Sequence, residues 1–250
     1  MSPTEASRTE NKQKQRLDWL MEPYEPLPHG KQGRTIGMYL FYYFIPAVIV
    51  GILATLAAQK ENINVANLSI ITGILTYGAI LLVYKPIFKE SLKQVIKPIK
   101  KEHWIFALKC FLVLTFGNML LTFIPSPVPE NQQLLESALD AGNPIYFAIY
   151  TVLLAPIVEE LLFRHLFFRG MTGGGKKRSP WPFICNVLFF TFLHTGTGFL
   201  DNPGGALQYM WLSIVFGYAY AKTRDIEASL ALHLINNGIA FVAILMTTGI

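Results

Sequence analysis

Pro144-Ile-Tyr-Phe-Ala-Ile-Tyr-Thr-Val-Leu-Leu-Ala-Pro-Ile-Val-Glu159-Glu160-Leu-Leu-Phe-Arg164-His165-Leu-Phe-Phe168 is the stretch that decides the fold. It is too long and too uniformly apolar for a barrel strand of about 10 alternating residues, and a helix of this length crosses a hydrocarbon layer of roughly 30 Å. Working outward, further apolar segments lie at 35–58, 66–84, 104–124, 181–198, 204–221 and 229–249. In lipid the backbone must satisfy its own hydrogen bonds, so these segments predict an all-α, polytopic membrane helical bundle of about seven transmembrane helices. Composition points the same way. The chain is 52% apolar and only 15% charged, with a mean hydropathy of +0.38, which excludes a disordered chain. Cys110 and Cys185 both fall inside apolar segments, so neither a disulfide framework nor a cysteine-based zinc site is expected.

Residues 1–34 are polar and carry Pro23, Pro26 and Pro28, so they read as a cytoplasmic tail, with 35–250 forming a single transmembrane domain. The connections alternate in Lys and Arg. The tail has six, the next connection only Lys60, the stretch Lys85 to Lys101 six, and 125–143 none. Arg169, Lys176, Lys177 and Arg178 follow, then none in 199–203, then Lys222 and Arg224, then none at the C-terminus. By the positive-inside rule the N-terminus is cytoplasmic and the C-terminus outside. The excess of 21 basic over 16 acidic residues is thus explained by topology and does not call for nucleic acid. Lys85, Lys89, Lys93 and Lys97 recur every four residues beside Ile96, a basic stripe that anionic lipid headgroups attract. Residues 130–141 set Leu134, Leu135, Ala138 and Leu139 on one helical face, the pattern of a short interfacial helix. Gly170-Met-Thr-Gly-Gly-Gly175-Lys176 imitates a phosphate-binding loop. Lys177 stands where that motif needs Ser or Thr, and a membrane helix precedes it where a strand is needed, so a flexible basic loop is expected.

An ionisable group inside a spanning helix costs roughly 3 kcal/mol or more unless it is paired or wetted, so each one is a functional hypothesis. Glu160 and Arg164 lie one helical turn apart, the spacing of an ion pair, with Glu159 turned aside. Two adjacent carboxylates in a poorly solvated site cannot both ionise cheaply. The arginine holds one as carboxylate and leaves the other for general acid or base work. The blander reading is an ion-pair staple between helices, for which a single Glu and Arg would suffice. The fifth segment contributes Phe190-Thr-Phe-Leu-His194, and the seventh His233-Leu-Ile-Asn236-Asn237, with His233 and Asn237 on a shared face. At about 1.5 Å per residue, Glu159, His194, His233 and Asn237 lie roughly 14, 20, 6 and 12 Å from the cytoplasmic ends of their helices. Those depths allow one cavity. Ser213 has no nucleophile motif around it, and His29 and His103 fall in expected loops and carry no signal.

The order Glu-Glu-x-x-x-Arg, Phe-x-x-x-His and His-x-x-x-Asn, each on its own membrane helix over residues 144–249, resembles the CAAX proteases and bacteriocin-processing enzymes. These are intramembrane glutamate proteases that include the Ras-converting CAAX endopeptidase. The resemblance implies that Glu159 is the base that activates water, that His194 orients the water and shuttles the proton, and that Glu160 and Arg164 shape the site. His233 and Asn237 would donate to the oxyanion of the tetrahedral intermediate. The implied substrate is a membrane-associated protein or peptide: prenylated CAAX proteins in a eukaryote, or peptide maturation, quorum signalling or bacteriocin self-immunity in a bacterium. Many members have Gly directly after the motif arginine, where this chain has His165. No cofactor is required by this scheme. Zinc remains a rival, because two histidines and a glutamate can hold it with water in the fourth place, although His-Glu-x-x-His is absent and the arginine opposes a dication. A non-catalytic immunity or scaffold protein, and a small proton-relaying transporter without visible internal repeats, complete the alternatives.

Overall fold

Each of the seven apolar segments is helical in the computed structural model, which describes residues 18–25, 27, 32–57, 65–83, 85–127, 144–171, 179–196 and 198–248. The helices are α1 (Gln32–Ala57), α2 (Val65–Val83), α3 (Lys85–Ile96), α4 (Lys101–Leu121), α5 (Pro144–Met171), α6 (Trp181–Thr195), α7 (Pro203–Thr223) and α8 (Ile226–Thr248). The expected interfacial helix at 130–141 and most of the glycine-rich loop lie outside the described residues.

Helices α4, α5 and α8 are each long and apolar enough to cross a membrane by length and composition. The outward faces confirm what surrounds them. Leu40, Phe44, Val48 and Ile52 line one exposed face of α1, and Ile105, Leu108, Leu112 and Phe116 one face of α4. Stripes of large apolar side chains at helical spacing face lipid, because in water they would be buried. The chain is a helical membrane bundle.

Helix α5 sits at its centre: 44% of its most apolar window is buried within the protein, against 17% for α4 and 28% for α8. Val158, Leu161, Leu162, Phe163 and Leu166 are fully enclosed, packing with Met38 of α1, Tyr77 and Ile80 of α2 and Phe88 of α3. A second core joins α4, α7 and α8 through Leu114, Phe216, Ala219 and Leu232. There the Trp211 Nε1–H donates to the Leu114 carbonyl at 3.1 Å, and a β-carbon at Gly117 would overlap the indole, so only glycine allows this approach.

Helix α3 carries the basic stripe. Lys85, Lys89 and Lys93 are exposed, while Phe88, beside the stripe, is fully buried with its ring 6.4 Å from that of His165. Within the polar stretch 1–34, the described residues 18–25 and 27 pack on the bundle. Trp19 meets Phe183 and Tyr218 edge-on, and Tyr24 lies against Phe168 and Tyr220. His103, expected in a loop, instead occupies the first turn of α4. Its Nδ1 is 2.8 Å from Glu227 Oε2, a contact that ties the start of α4 to the start of α8.

Candidate active site

Helix α5 presents the two glutamates through an irregular backbone. Its hydrogen bonding widens to π turns at Ile149–Leu154 and Leu161–Leu166, on either side of an α-helical Ala155–Glu160. In the first π turn the Ala155 N–H reaches Tyr150 O, five residues back, which frees the Thr151 carbonyl. Asn237 Nδ2 takes it up at 2.8 Å. In the second, the Phe167 N–H reaches Leu162 O, and Asn186 Nδ2 takes up the freed Phe163 carbonyl at 2.6 Å. A carbonyl left bare at this depth would cost several kcal/mol, so each wide turn is matched by an asparagine from a neighbouring helix. Such turns inside α-helices concentrate at functional sites.

The glutamates then diverge. Glu160 is fully buried: its Oε1 accepts from His233 Nδ1 at 3.0 Å and its Oε2 lies 3.4 Å from Arg164 Nε. The guanidinium, also fully buried, stacks on the rings of Phe190 and Phe216 at 4.9 and 5.7 Å. Glu159 faces a cavity of about 640 Å³. Its Oε2 lies 3.6 Å from His194 Nε2 and 3.8 Å from His233 Nε2, while its Oε1 meets the phenols of Tyr42 at 3.2 Å and Tyr77 at 3.5 Å.

Local structure fixes each histidine. Helix α6 closes at Gly196, whose φ of +52° suits glycine and whose N–H donates to Phe192 O at 2.8 Å, leaving His194 in the last turn. His194 Nδ1–H donates to Phe190 O at 2.8 Å, so Nε2 is the nitrogen turned to Glu159. For His233, Glu160 accepts from Nδ1 and again leaves Nε2 toward Glu159. A tight turn sets the start of α8: Arg224 takes the left-handed conformation at φ +57°, and the Asp225 carboxylate accepts the Glu227 N–H at 3.1 Å.

Glu159, His194, His233 and Asn237 therefore share one cavity, as their depths allowed, while Glu160 and Arg164 stand behind it. Tyr42, Tyr77, Tyr150, Asn118, Gln208 and Asn236 also line it. Among the described lining residues there is no Lys or Arg. His165 is buried elsewhere and accepts from Arg169 Nη1 at 3.0 Å. Ser213 is buried outside the cavity lining. Among the described residues, the His, Asp and Glu side chains close enough to share one ion are His103, Asp225 and Glu227, away from this cavity and with the Lys100 ammonium 3.9 Å from Asp225. Sequence reasoning missed Asn186 and the tyrosines. Asn186 was detectable as an amide in an apolar segment, whereas nothing along α1 or α2 distinguishes a cavity-facing tyrosine from an interfacial one.

Residues 141–239, the stretch that carries all of these motifs, match the family described as Type II CAAX prenyl endopeptidase Rce1-like. That stretch is similar to the CAAX-protease family. Over 219 residues the chain is 21% identical to the membrane-embedded CAAX protease MroQ of Staphylococcus aureus, covering 83% of this chain and 86% of that one. It is 31% identical to UPF0177 protein YaiF of Lactococcus lactis over 111 residues, spanning 44% of this chain and 44% of YaiF. It is 26% identical to the uncharacterized protein YyaK of Bacillus subtilis over 161 residues, 60% of this chain and 52% of YyaK. No solved structure matches the chain. The matched segment thus contains Glu159, Glu160, Arg164, His194, His233 and Asn237. Tyr42 and Tyr77 come from helices outside it.

Proposed function

We propose that the chain is an intramembrane endopeptidase in which Glu159 activates water against a peptide bond of a membrane-associated substrate. The observation that carries this reading is that His194 Nε2 and His233 Nε2 face the same Glu159 oxygen at 3.6 and 3.8 Å in one cavity. Those separations are too long for direct hydrogen bonds and suit groups that grip a water between them. The water oxygen attacks the peptide carbonyl carbon, and its proton passes to Glu159 Oε2. His194 Nε2 accepts from the same water and relays the proton to the amide nitrogen as the C–N bond breaks.

The oxyanion falls to His233 and Asn237. Glu160 accepts from His233 Nδ1, so His233 donates from Nε2 only as the imidazolium. Glu159 and Glu160 as carboxylates, with Arg164 and His233 as cations, then sum to zero charge, which a low-dielectric cavity tolerates. A charged donor also stabilises an oxyanion more than a neutral one. Asn237 commits one amide hydrogen to Thr151 O and keeps the second for the intermediate. The matching family and MroQ support proteolysis, and the bacterial relatives favour peptide or protein processing at a cell membrane. In the same reading the N-terminus is cytoplasmic, the C-terminus outside, and the lysines of α3 rest on anionic headgroups.

Terminal-peptide mass spectrometry on membranes carrying wild type or Glu159→Gln, at equal protein level and with and without a zinc chelator, tests the proposal. Cleaved ends found only with wild type, and unaffected by the chelator, support it and identify the cut sites. Ends that vanish with the chelator would move the water to a metal. Identical ends from both proteins would leave the cluster as a structural staple.

A further inference from the structure

Glu159 has two chemically equivalent oxygens on a torsion that is broad and two-fold by nature, yet only one of them can meet the water. The surroundings break that equivalence. Oε2 faces the two histidines, while Oε1 accepts from Tyr42 at 3.2 Å and Tyr77 at 3.5 Å. The two phenol rings are stacked, their centres 5.7 Å apart and their planes within 6° of parallel, and Tyr150 stacks on Tyr77 at 5.1 Å. Space for that stack comes from α2, where a β-carbon at Gly73 would overlap the Tyr150 ring. One turn before Tyr42, Tyr39 donates to Leu162 O at 2.6 Å, fastening the same face of α1 to the second π turn. The carboxylate is thus held by a preassembled ring stack spanning α1, α2 and α5.

We propose that Tyr42 and Tyr77 are positioning residues: they hold Oε1 of Glu159, fix the carboxylate torsion and leave Oε2 as the oxygen that takes the proton from water. The inference rests on the protease reading above, and it assigns the first two helices, which lie outside the CAAX-protease match, a part in the chemistry. Phenols fit this task. Each donates to a carboxylate without competing for the proton that water gives up, because an ordinary phenol loses its own proton only near pH 10. Two donors on one oxygen also set the angle at which the other approaches, the kind of alignment on which rate depends steeply. Two merely structural tyrosines would have no reason to direct both hydroxyls at one atom of the base.

The test compares wild type, Tyr42→Phe, Tyr77→Phe and the double variant in detergent, using a fluorogenic peptide spanning a cut site found by mass spectrometry. Phenylalanine keeps the ring stack and removes only the donors. The expected result is a kcat lowered by about tenfold in each single variant and by more in the double, with KM and the thermal unfolding midpoint near wild type. An unchanged kcat in all three variants overturns the inference. A raised KM at constant kcat also overturns it and makes the tyrosines a wall of the substrate pocket. A kcat loss matched by a falling midpoint overturns it in favour of a packing role. Should the double variant fail to accumulate, the two single variants decide by the same criteria. Glu159→Gln run alongside separates the two levels: if it cleaves like wild type the protease reading falls and this inference with it, whereas if it is inactive while the phenylalanine variants cleave normally only the inference falls.

Discussion

Arg164 shows how one residue can bear on the cavity without touching it. It is fully buried, bonded by its charge to Glu160 and by its faces to Phe190 and Phe216, and Glu160 in turn holds His233. Arg164→Met keeps the volume but leaves the Glu160 charge enclosed without its cation. Breaking a buried pair on one side is expected to cost about 3–5 kcal/mol, read as a lowered unfolding midpoint in detergent. The double variant Glu160→Gln/Arg164→Met removes both charges and is expected to recover much of that midpoint while cleavage stays lost, because His233 keeps a neutral acceptor in place of a carboxylate. A double variant as unstable as the single would show that ring packing around the arginine, and not charge, dominates. The i, i+4 spacing made this pair legible in the sequence. That Glu160 reaches across to His233 was not legible, because a contact between helices forms only when both are in place.

At the scale of the element, the bundle is built of ordinary helices around one that is not. Apolar segment length located α1, α2 and α4 to α8 closely, since lipid enforces helix over every such run, whereas α3 lies in a basic connection that hydropathy passes over. It could not reveal the two π turns of α5, because an extra residue in a turn changes which carbonyl is bare and leaves the hydropathy untouched. The asparagines are where this irregularity surfaces. Asn237 was singled out for its motif, yet its shortest described contact is with Thr151 O at 2.8 Å, and Asn186 does the same for Phe163 O at 2.6 Å. Asn186→Leu is therefore expected to cost about 1–3 kcal/mol in unfolding free energy, the penalty of a buried carbonyl left without a donor. Asn237→Leu should show a comparable loss and, in addition, a fall in kcat, since the cavity loses an oxyanion donor. Unfolding curves and cleavage rates measured on the same two samples decide the matter: equal kcat losses would mean that both asparagines act only through the backbone of α5.

On the scale of the whole molecule, an aromatic seat attaches the polar N-terminal stretch to the bundle, beside the Arg169 side chain that donates to Glu25 O at 2.9 Å. The Arg224 guanidinium lies 4.0 Å from the centre of the Tyr24 ring, and its Nη2 donates to Trp19 O at 2.8 Å and Glu22 O at 3.2 Å. Tyr24 itself is buried between Phe168 and Tyr220, and its hydroxyl has no hydrogen-bond partner among the described residues. Burial without a partner pushes this phenol well above its ordinary value near 10, with the nearby Arg224 opposing the shift only in part. The sign of the linkage follows. The folded seat prefers the neutral phenol, so its contribution is complete below pH about 10, where the free phenol is also neutral, and is lost progressively as the pH rises beyond that value. Tyr24→Phe keeps the ring and the cation contact while removing both the unpaired hydroxyl and the titration. It is expected to match or slightly exceed wild type in unfolding midpoint at pH 8. The difference should widen in favour of the variant between pH 10 and 11, roughly the range where an ordinary tyrosine ionises. Following the two proteins side by side cancels the titration of every other tyrosine. A difference that stays constant across that range would mean that Tyr24 is reached by water in the folded protein, and that Trp19 and Leu27 hold the stretch in place.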